Sequence, residues 1–364
     1  MPTITIVAGA RPNFMKIGPI IAAIKKHNQL GENLIRFRLV HTGQHYNANL
    51  SDSFFKDLNI PEPDVNLEVG SGSHAGQTAA IMVKFEQELL ENPSDLVLVV
   101  GDVNSTMAAT LVAKKMNIKV AHIEAGLRSF DMSMPEEINR LVTDVLADYF
   151  FTTTRDAGKN LKMLSASDDR IFFVGNTMID SLQVNLPRLI APKIFSKNAI
   201  KEKDYFLLTL HRPSNVDSIE KLEDMLRFLA NLANGKVIIF PVHPRTQSKL
   251  ENLQDLPKNI IFTEPLPYLE FAYLVKNAKA VITDSGGIQE ETTYLKVPCL
   301  TLRENTERPE TVTIGSNLLL GFYKDQIKEA FEKLFSGNWK KSEVPELWDG
   351  KASERIVEIL ANKL

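Results

Sequence analysis

Nineteen consecutive residues, HIEAGLRSFDMSMPEEINR (122–140), carry one His, three Glu, one Asp and two Arg directly after a short apolar run. Carboxylates gathered in one place can hold different pKa values, which is what general acid/base chemistry requires. Glu124 opens the segment, and Asp102 stands at a matching position after the preceding apolar run, LVLVVG. A carboxylate leaving a buried run is costly without a partner. The plainer role for Asp102 is to cap a helix beginning near Asn104. Pro135 suits a first helical turn, so Glu136 and Glu137 begin a helix whose dipole favours their charge. For Glu136 the plainer role is an i,i+4 pair with Arg140. Two further stretches bring groups to the same region: GARPNFMK (9–16) supplies Arg11 and Lys16, and HTGQHY (41–46) supplies His41 and His45.

The second half of the chain presents a different chemistry. TDSGGIQEE (283–291) sets Ser285, Gly286 and Gly287 between a strand and a helix. Free N–H groups of small residues at a helix N-terminus suit an anion such as phosphate. On that helix Ile288, Thr292 and Leu295 define the inward face; Glu291 lies about 60° from it and Glu290 points away. Glu291 is thus placed to accept hydrogen bonds from a ribose diol. RENTERPE (303–310) adds Arg303 and Arg308, TLHRPSN (209–215) adds His211 and Arg212, and PVHPR (241–245) adds His243 and Arg245. Cation-bearing loops converging on one sheet edge make a phosphate site.

The elements that must position these groups alternate along the whole chain. Strands are expected at 4–8, 37–41, 96–100, 119–123, 149–153 and 171–174, then at 205–210, 236–242, 260–263, 280–283 and 298–302. Several of these runs are continuously apolar, the pattern of parallel strands covered on both faces. Between them lie helical patterns. Ile17, Ile20, Ile21 and Ile24 share one face, and Ile138, Leu141, Val142 and Val145 share another. Alternating βα units argue for doubly wound α/β sheets, in which ligands sit beyond the carboxyl ends of the strands. Strand signals stop near 184–204, and the domain boundary is placed between about 175 and 200, giving domains of 1–175 and 176–351 with a last amphipathic helix at 352–364.

The 364 residues exceed the size of one ordinary core, and 42 basic against 45 acidic residues leave a net charge of −3. That balance does not support a nucleic-acid or anionic-membrane partner. Cys299 is the only cysteine, which excludes an intrachain disulfide and suits a reducing compartment. No apolar run approaches the ~18 residues of a membrane helix, and the opening strand leaves no signal peptide, so a cytoplasmic protein is expected. The first βα turn has a single Gly and a bulky Arg where a dinucleotide would need close approach, and GSGSHAG (70–76) misses that fingerprint by one residue. The nucleotide-triphosphate loop, the hydrolase elbow and the Asp-x-Asp metal clamp are missing, and the scattered His residues give no metal site.

Taken together, GARPNFMK, HTGQHY, GDVNST, HIEAGLRS…MPEEINR, PVHP, TDSGGIQEE and ERPE resemble, in order and over some 300 residues, the bacterial non-hydrolysing UDP-N-acetylglucosamine 2-epimerases. The resemblance implies a GT-B-like fold, two Rossmann-like domains with a cleft between them and residues 352–364 packing back on the first. It implies interconversion of UDP-GlcNAc and UDP-ManNAc with neither cofactor nor metal, in a homodimer. Carried over by motif, Asp102, Glu124, Glu136 and His211 would be catalytic. Arg11, Lys16, His243, Ser285, Gly286, Gly287, Glu291 and Arg308 would bind the UDP-sugar. Asn13 stands where many members have Glu. LHRPSN replaces the commoner Gly-His-Arg-Arg-Glu-Asn, and GQHYN departs from the pattern of members with an allosteric site, so that regulation is not carried over. The segment 128–140 also resembles relatives acting on other UDP-2-acetamido sugars. A GT-B glycosyltransferase and a non-catalytic nucleotide-sugar-binding protein share the nucleotide site and stay open as alternatives.

Overall fold

The computed structural model describes residues 1–31, 33–43, 55, 58–242, 250 and 256–364. It divides into two units, 1–184 with 346–364, and 185–345.

In the first unit seven strands form one sheet: β1 (Thr3–Ala8), β2 (Arg36–His41), β3 (Val65–Asn66), β4 (Leu96–Val100), β5 (Lys119–Ile123), β6 (Tyr149–Thr152) and β7 (Ile171–Phe173). Their order is β3-β2-β1-β4-β5-β6-β7, with parallel pairing throughout. The chain winds outward from β1 to β3 and then resumes on the other side of β1 at β4. The crevice between the carboxyl ends of β1 and β4 is therefore the switch point where such sheets hold ligands.

Every residue of β4 is buried, as its unbroken apolar run requires. Helix α1 (Arg11–Asn28) covers one face with Ile17, Ile20, Ile21 and Ile24, each 0–1% exposed. Helices α2 (His74–Glu91), α3 (Asn104–Lys115) and α4 (Pro135–Leu146) follow β3, β4 and β5, and α3 packs between α2 and α4.

The segment 346–364 ends in helix α5 (Ala352–Lys363), which lies along α1 and adds Ile356, Val357 and Leu360 to the same apolar core. Asp180 fixes its start, accepting from the Ala352 and Ser353 N–H groups at 3.2 and 2.6 Å. A carboxylate at a helix N-terminus satisfies donors that the helix leaves open.

The second unit carries β8 (Tyr205–Thr209), β9 (Val237–Pro241), β10 (Ile260–Thr263), β11 (Ala280–Thr283), β12 (Cys299–Thr301) and β13 (Asn317–Leu319). The parallel order β10-β9-β8-β11-β12-β13 repeats the same winding, with its switch point between β8 and β11. Helix α6 (Tyr268–Asn277) precedes β11, α7 (Gly286–Leu295) follows it, and the short α8 (Pro309–Thr313) follows β12. Both units are thus the doubly wound α/β sheets that the alternating pattern predicts. Two edge strands, β3 and β13, were not expected; they span two and three residues, too short for a periodic signal.

Helix α4 corrects one expectation. Its inward residues are Glu137, Asn139, Arg140, Thr143 and Asp144, whereas Ile138 and Val145 are exposed. The apolar face does not mark the packed side here, because α4 packs its polar side onto the charged strand ends.

Candidate active site

Three loops meet at the β1/β4 switch point. The turn after β1 is set by Asn13, whose Oδ1 accepts from the Gly9 and Ala10 N–H groups at 3.3 and 2.9 Å. Its Nδ2 donates to the Val100 carbonyl at 3.1 Å, tying the start of α1 to the end of β4. Arg11 opens α1 and is exposed. One turn on, Lys16 is buried and its Nζ reaches Glu124 Oε2 at 2.5 Å, a pair with side chains only 8% and 1% exposed. Glu124 follows β5 with φ +66°, a left-handed backbone unusual for Glu and concentrated in proteins at functional sites. Gly101, at φ +69°, takes a left-handed backbone that favours glycine; a Cβ there would make only ordinary contact, 3.6 Å from Lys16 Nζ and 3.8 Å from Glu124 Oε2.

Asp102 follows Gly101. It does not cap α3; Val103 occupies that position without a side-chain bond. The Asp102 carboxylate instead accepts from Arg140 Nη1 at 2.5 Å while keeping its side chain 30% exposed. Val100 pairs in register with Ile123, so Asp102 and Glu124 leave neighbouring strands side by side. Glu136 lies in the first turn of α4 and is exposed.

Of the remaining charges of the 122–140 segment, His122, Arg128, Glu137 and Arg140 go inward, and Asp131 stays partly open. His122 is fully buried, with Nδ1 2.7 Å from Asp144 Oδ1 and Nε2 2.9 Å from the Gly101 carbonyl. Asp144 also receives Arg128 at 2.6 Å and the Gly126 N–H at 3.1 Å. Burial works to raise the Asp144 pKa, but His122 and Arg128 outweigh it and hold it below the ordinary value. Glu137 behaves alike: burial pushes up, while the Ser129 N–H and Arg140 bring it down. His41 is different. Burial lowers it to about 4, and its Nδ1 accepts from the Gly43 N–H at 2.7 Å, so it stays neutral. His45 lies outside the described residues.

The second unit repeats the arrangement at its own switch point. Asp284, after β11, is fully buried and accepts from the His211 N–H at 3.1 Å, the Arg212 N–H at 3.0 Å and Asn215 Nδ2 at 2.9 Å. Its Oδ1 stands 2.7 Å from His211 Nδ1, leaving the half-exposed imidazole oriented by a carboxylate. Burial tends to raise the Asp284 pKa, yet His211, Arg212 and Asn215 lower it overall.

Ser285 is the N-cap residue of α7 and is partly open, as are Gly286 and Gly287. Arg308 lies against this turn. A Cβ on Gly286 would meet Arg308 Nη1 and Glu307 Oε1 at 2.7 Å each, so any larger residue would push the ends of these two side chains aside. Arg308 Nε is 2.7 Å from Glu290 Oε1, and its Nη1 donates to Glu307. Glu290 was expected to point away from the packed face; it is fully buried instead, because Arg308 comes from beyond β12 to meet it.

Glu291 is also buried and accepts from Tyr268 Oη at 3.1 Å. Burial, opposed in part by that hydrogen bond, raises its pKa to about 7. Glu310, beside Arg308, is raised to about 7 for the same reason. His243 and Arg245 lie outside the described residues. Among the described residues, no group of three or more His, Cys, Asp or Glu could hold a metal ion, and no helix is long and apolar enough to cross a membrane.

A model of the UDP-N-acetylglucosamine 2-epimerase family matches residues 28–361. The chain belongs to this family. It is 45% identical to the UDP-N-acetylglucosamine 2-epimerase of Methanocaldococcus jannaschii over 98% of each chain. It is 39% identical, over 99% of each, to the UDP-2,3-diacetamido-2,3-dideoxy-D-glucuronate 2-epimerase of Pseudomonas aeruginosa. The solved structure of the M. jannaschii UDP-GlcNAc 2-epimerase in complex with UDP-GlcNAc and UDP superposes with a TM-score of 0.88, at 43% identity and 99% coverage of both chains. A glycotransferase of kitacinnamycin, 12% identical with a TM-score of 0.57, shares the fold alone. Epimerase membership therefore rests on the family match, and the GT-B-like architecture is wider than the family.

Sequence reasoning missed the groups that hold the site residues in place: Arg140 for Asp102, Asp284 for His211, Glu290 and Glu307 for Arg308, and Tyr268 for Glu291. Of these, sequence spacing offers a partner only to Arg140, namely Glu136 at i,i+4; the structure sets it against Glu137 at i,i+3 and against Asp102.

Proposed function

We propose that this chain interconverts UDP-GlcNAc and UDP-ManNAc by epimerisation at C2, as a cytoplasmic homodimer. The observation that carries the reading is a pair of carboxylates, Asp102 and Glu124, on neighbouring strand ends with a cation against each. Its chemistry is elimination and re-addition. The C2 proton has no adjacent ketone to acidify it. A carboxylate takes that proton, the C2–H electron pair becomes the C1=C2 bond of a 2-acetamidoglucal, and the C1–O bond breaks with its electrons leaving on UDP. Re-addition of UDP to C1 is accompanied by protonation of C2 from the opposite face. Epimerisation in both directions thus needs acid/base groups on two faces of the sugar, which is the task assigned to Asp102, Glu124 and Glu136, with His211 completing the catalytic set.

Departure of UDP requires fixed positive charge and hydrogen-bond donors around the diphosphate. Ser285, Gly286, Gly287 and Arg308 supply them, and Arg11, Lys16 and His243 complete the substrate set. Glu291 accepts from the ribose hydroxyls. The exposed Ile138 and Val145 on α4, with Val83 and Leu90 on α2, support the homodimer, since large exposed apolar side chains seek cover.

Incubation of the protein with UDP-GlcNAc in D2O tests the reading. Deuterium at C2 of both epimers is the expected result; UDP release only in the presence of an acceptor, without C2 exchange, would instead indicate a glycosyltransferase. The likeness to the P. aeruginosa enzyme favours a second substrate, a UDP-2,3-diacetamido uronic acid. Exchange with that sugar and none with UDP-GlcNAc would move the assignment to it.

A further inference from the structure

Glu137 and Arg140 are the buried groups of the 122–140 segment that come nearest the proposed chemistry without a part in it. Helix α4 grips Asp102 twice: Asn139 Nδ2 donates to its backbone carbonyl at 2.9 Å, and Arg140 Nη1 to its carboxylate at 2.5 Å. The guanidinium is 2% exposed and cannot swing away. Its Nε and Nη2 donate to Glu137 Oε2 at 3.0 and 2.6 Å, and Nη2 reaches Ser129 Oγ at 3.3 Å. Glu137 is fixed in turn by the Ser129 N–H at 2.9 Å, the Ser129 hydroxyl at 3.0 Å and the Phe130 N–H at 3.2 Å. A buried ion pair is a poor way to stabilise a helix, because desolvation offsets most of its attraction. Here a chain of directed hydrogen bonds ends on the one partly open acid of the set.

We propose that Arg140 is a positioning residue that fixes the Asp102 carboxylate for proton transfer at C2, and that Glu137 holds Arg140 and balances its charge. The proposal rests on the C2-epimerase reading. Charge explains why both are needed. With Glu137 present, the trio of Asp102, Arg140 and Glu137 carries one net negative charge, and a proton arriving on Asp102 brings it to zero. Without Glu137 the same proton would leave a buried net positive charge, so Asp102 would accept it less readily. Without Arg140 the carboxylate would lose its fixed orientation.

The test compares wild type with Arg140→Lys, Arg140→Met, Arg140→Ala and the near-isosteric Glu137→Gln, reading kcat, KM and deuterium entry at C2. Arg140→Met and Glu137→Gln should each lower kcat and C2 exchange by roughly 10- to 100-fold, the scale of a misplaced reacting group, with KM within about threefold. Arg140→Lys should recover part of the loss, and guanidinium ion should partly restore Arg140→Ala. The double variant should be no slower than Arg140→Met alone, since both act through one chain. Unchanged kcat in Glu137→Gln and Arg140→Met would overturn the proposal. So would losses that track the folded fraction, add in the double variant and resist rescue. If wild type itself exchanges no C2 proton, the epimerase reading fails first; exchange in wild type with indifferent variants sinks only the positioning role.

Discussion

Glu291 provides a quantitative test of the nucleotide half of the proposal. The ribose hydroxyls are donors and need an ionised acceptor, yet burial has raised Glu291 to about 7. A group with that pKa is roughly one-tenth ionised at pH 6 and nine-tenths at pH 8. If only the carboxylate form binds, affinity should be about tenfold weaker at pH 6 than at pH 8, equivalent to about 1.4 kcal/mol. UDP-GlcNAc is the ligand to use, because its diphosphate diester has no proton to lose in this range. Calorimetric titration in the Asp102→Asn background keeps the ligand from turning over. Glu291→Gln should flatten the pH dependence and leave affinity weak throughout. Glu310 has a raised pKa in the same unit, so Glu310→Gln is the control and should retain the slope. An affinity independent of pH between 6 and 8, or a slope that survives Glu291→Gln, would refute the ribose assignment.

Asp102→Asn or Glu124→Gln should reduce turnover by roughly 10²–10⁴-fold while UDP binding, measured separately, persists. Gly286→Ala drives a methyl group into Arg308 and Glu307 at 2.7 Å, and should weaken UDP binding by about tenfold or more with little effect on the first unit; binding equal to wild type would remove Arg308 from the phosphate site. Glu310 contributes stability that is fully present below its ordinary pKa and is lost as pH rises through about 7. Its share of that loss is of order 3 kcal/mol for a shift of this size. Glu310→Gln should therefore match wild type in thermal melting near pH 4.5 and exceed it at pH 8.

Continuous apolar runs made the strands legible. Residues 96–100, 119–123, 260–263 and 280–283 are strands over those bounds: β4, β5 and β11 are inner parallel strands with mostly buried apolar runs, and β10, at the edge of its sheet, keeps a short apolar run of its own. The candidate site residues were picked out by motifs, and the structure sets Asp102, Glu124, His211 and Ser285 just after strand ends. What escaped was pairing across long separations: Lys16 with Glu124, 108 residues apart, and Asp102 with Arg140, 38 apart, have no local signature. Helix faces were misread for a related reason. Periodicity reports where apolar residues recur, and both α4 and α7 turn polar residues inward because their neighbours are charged. Ile138 is consequently exposed, and Glu290 lies fully buried on Arg308.

The account stands on cleavage of the bond between C1 and the diphosphate during epimerisation. UDP-GlcNAc carrying ¹⁸O at that bridging position reports it directly, by NMR of the β-phosphorus during turnover. Elimination predicts that the label scrambles from the bridge into the outer oxygens of the β-phosphate as UDP-ManNAc accumulates. Formation of UDP-ManNAc with the label retained wholly in the bridge would contradict it.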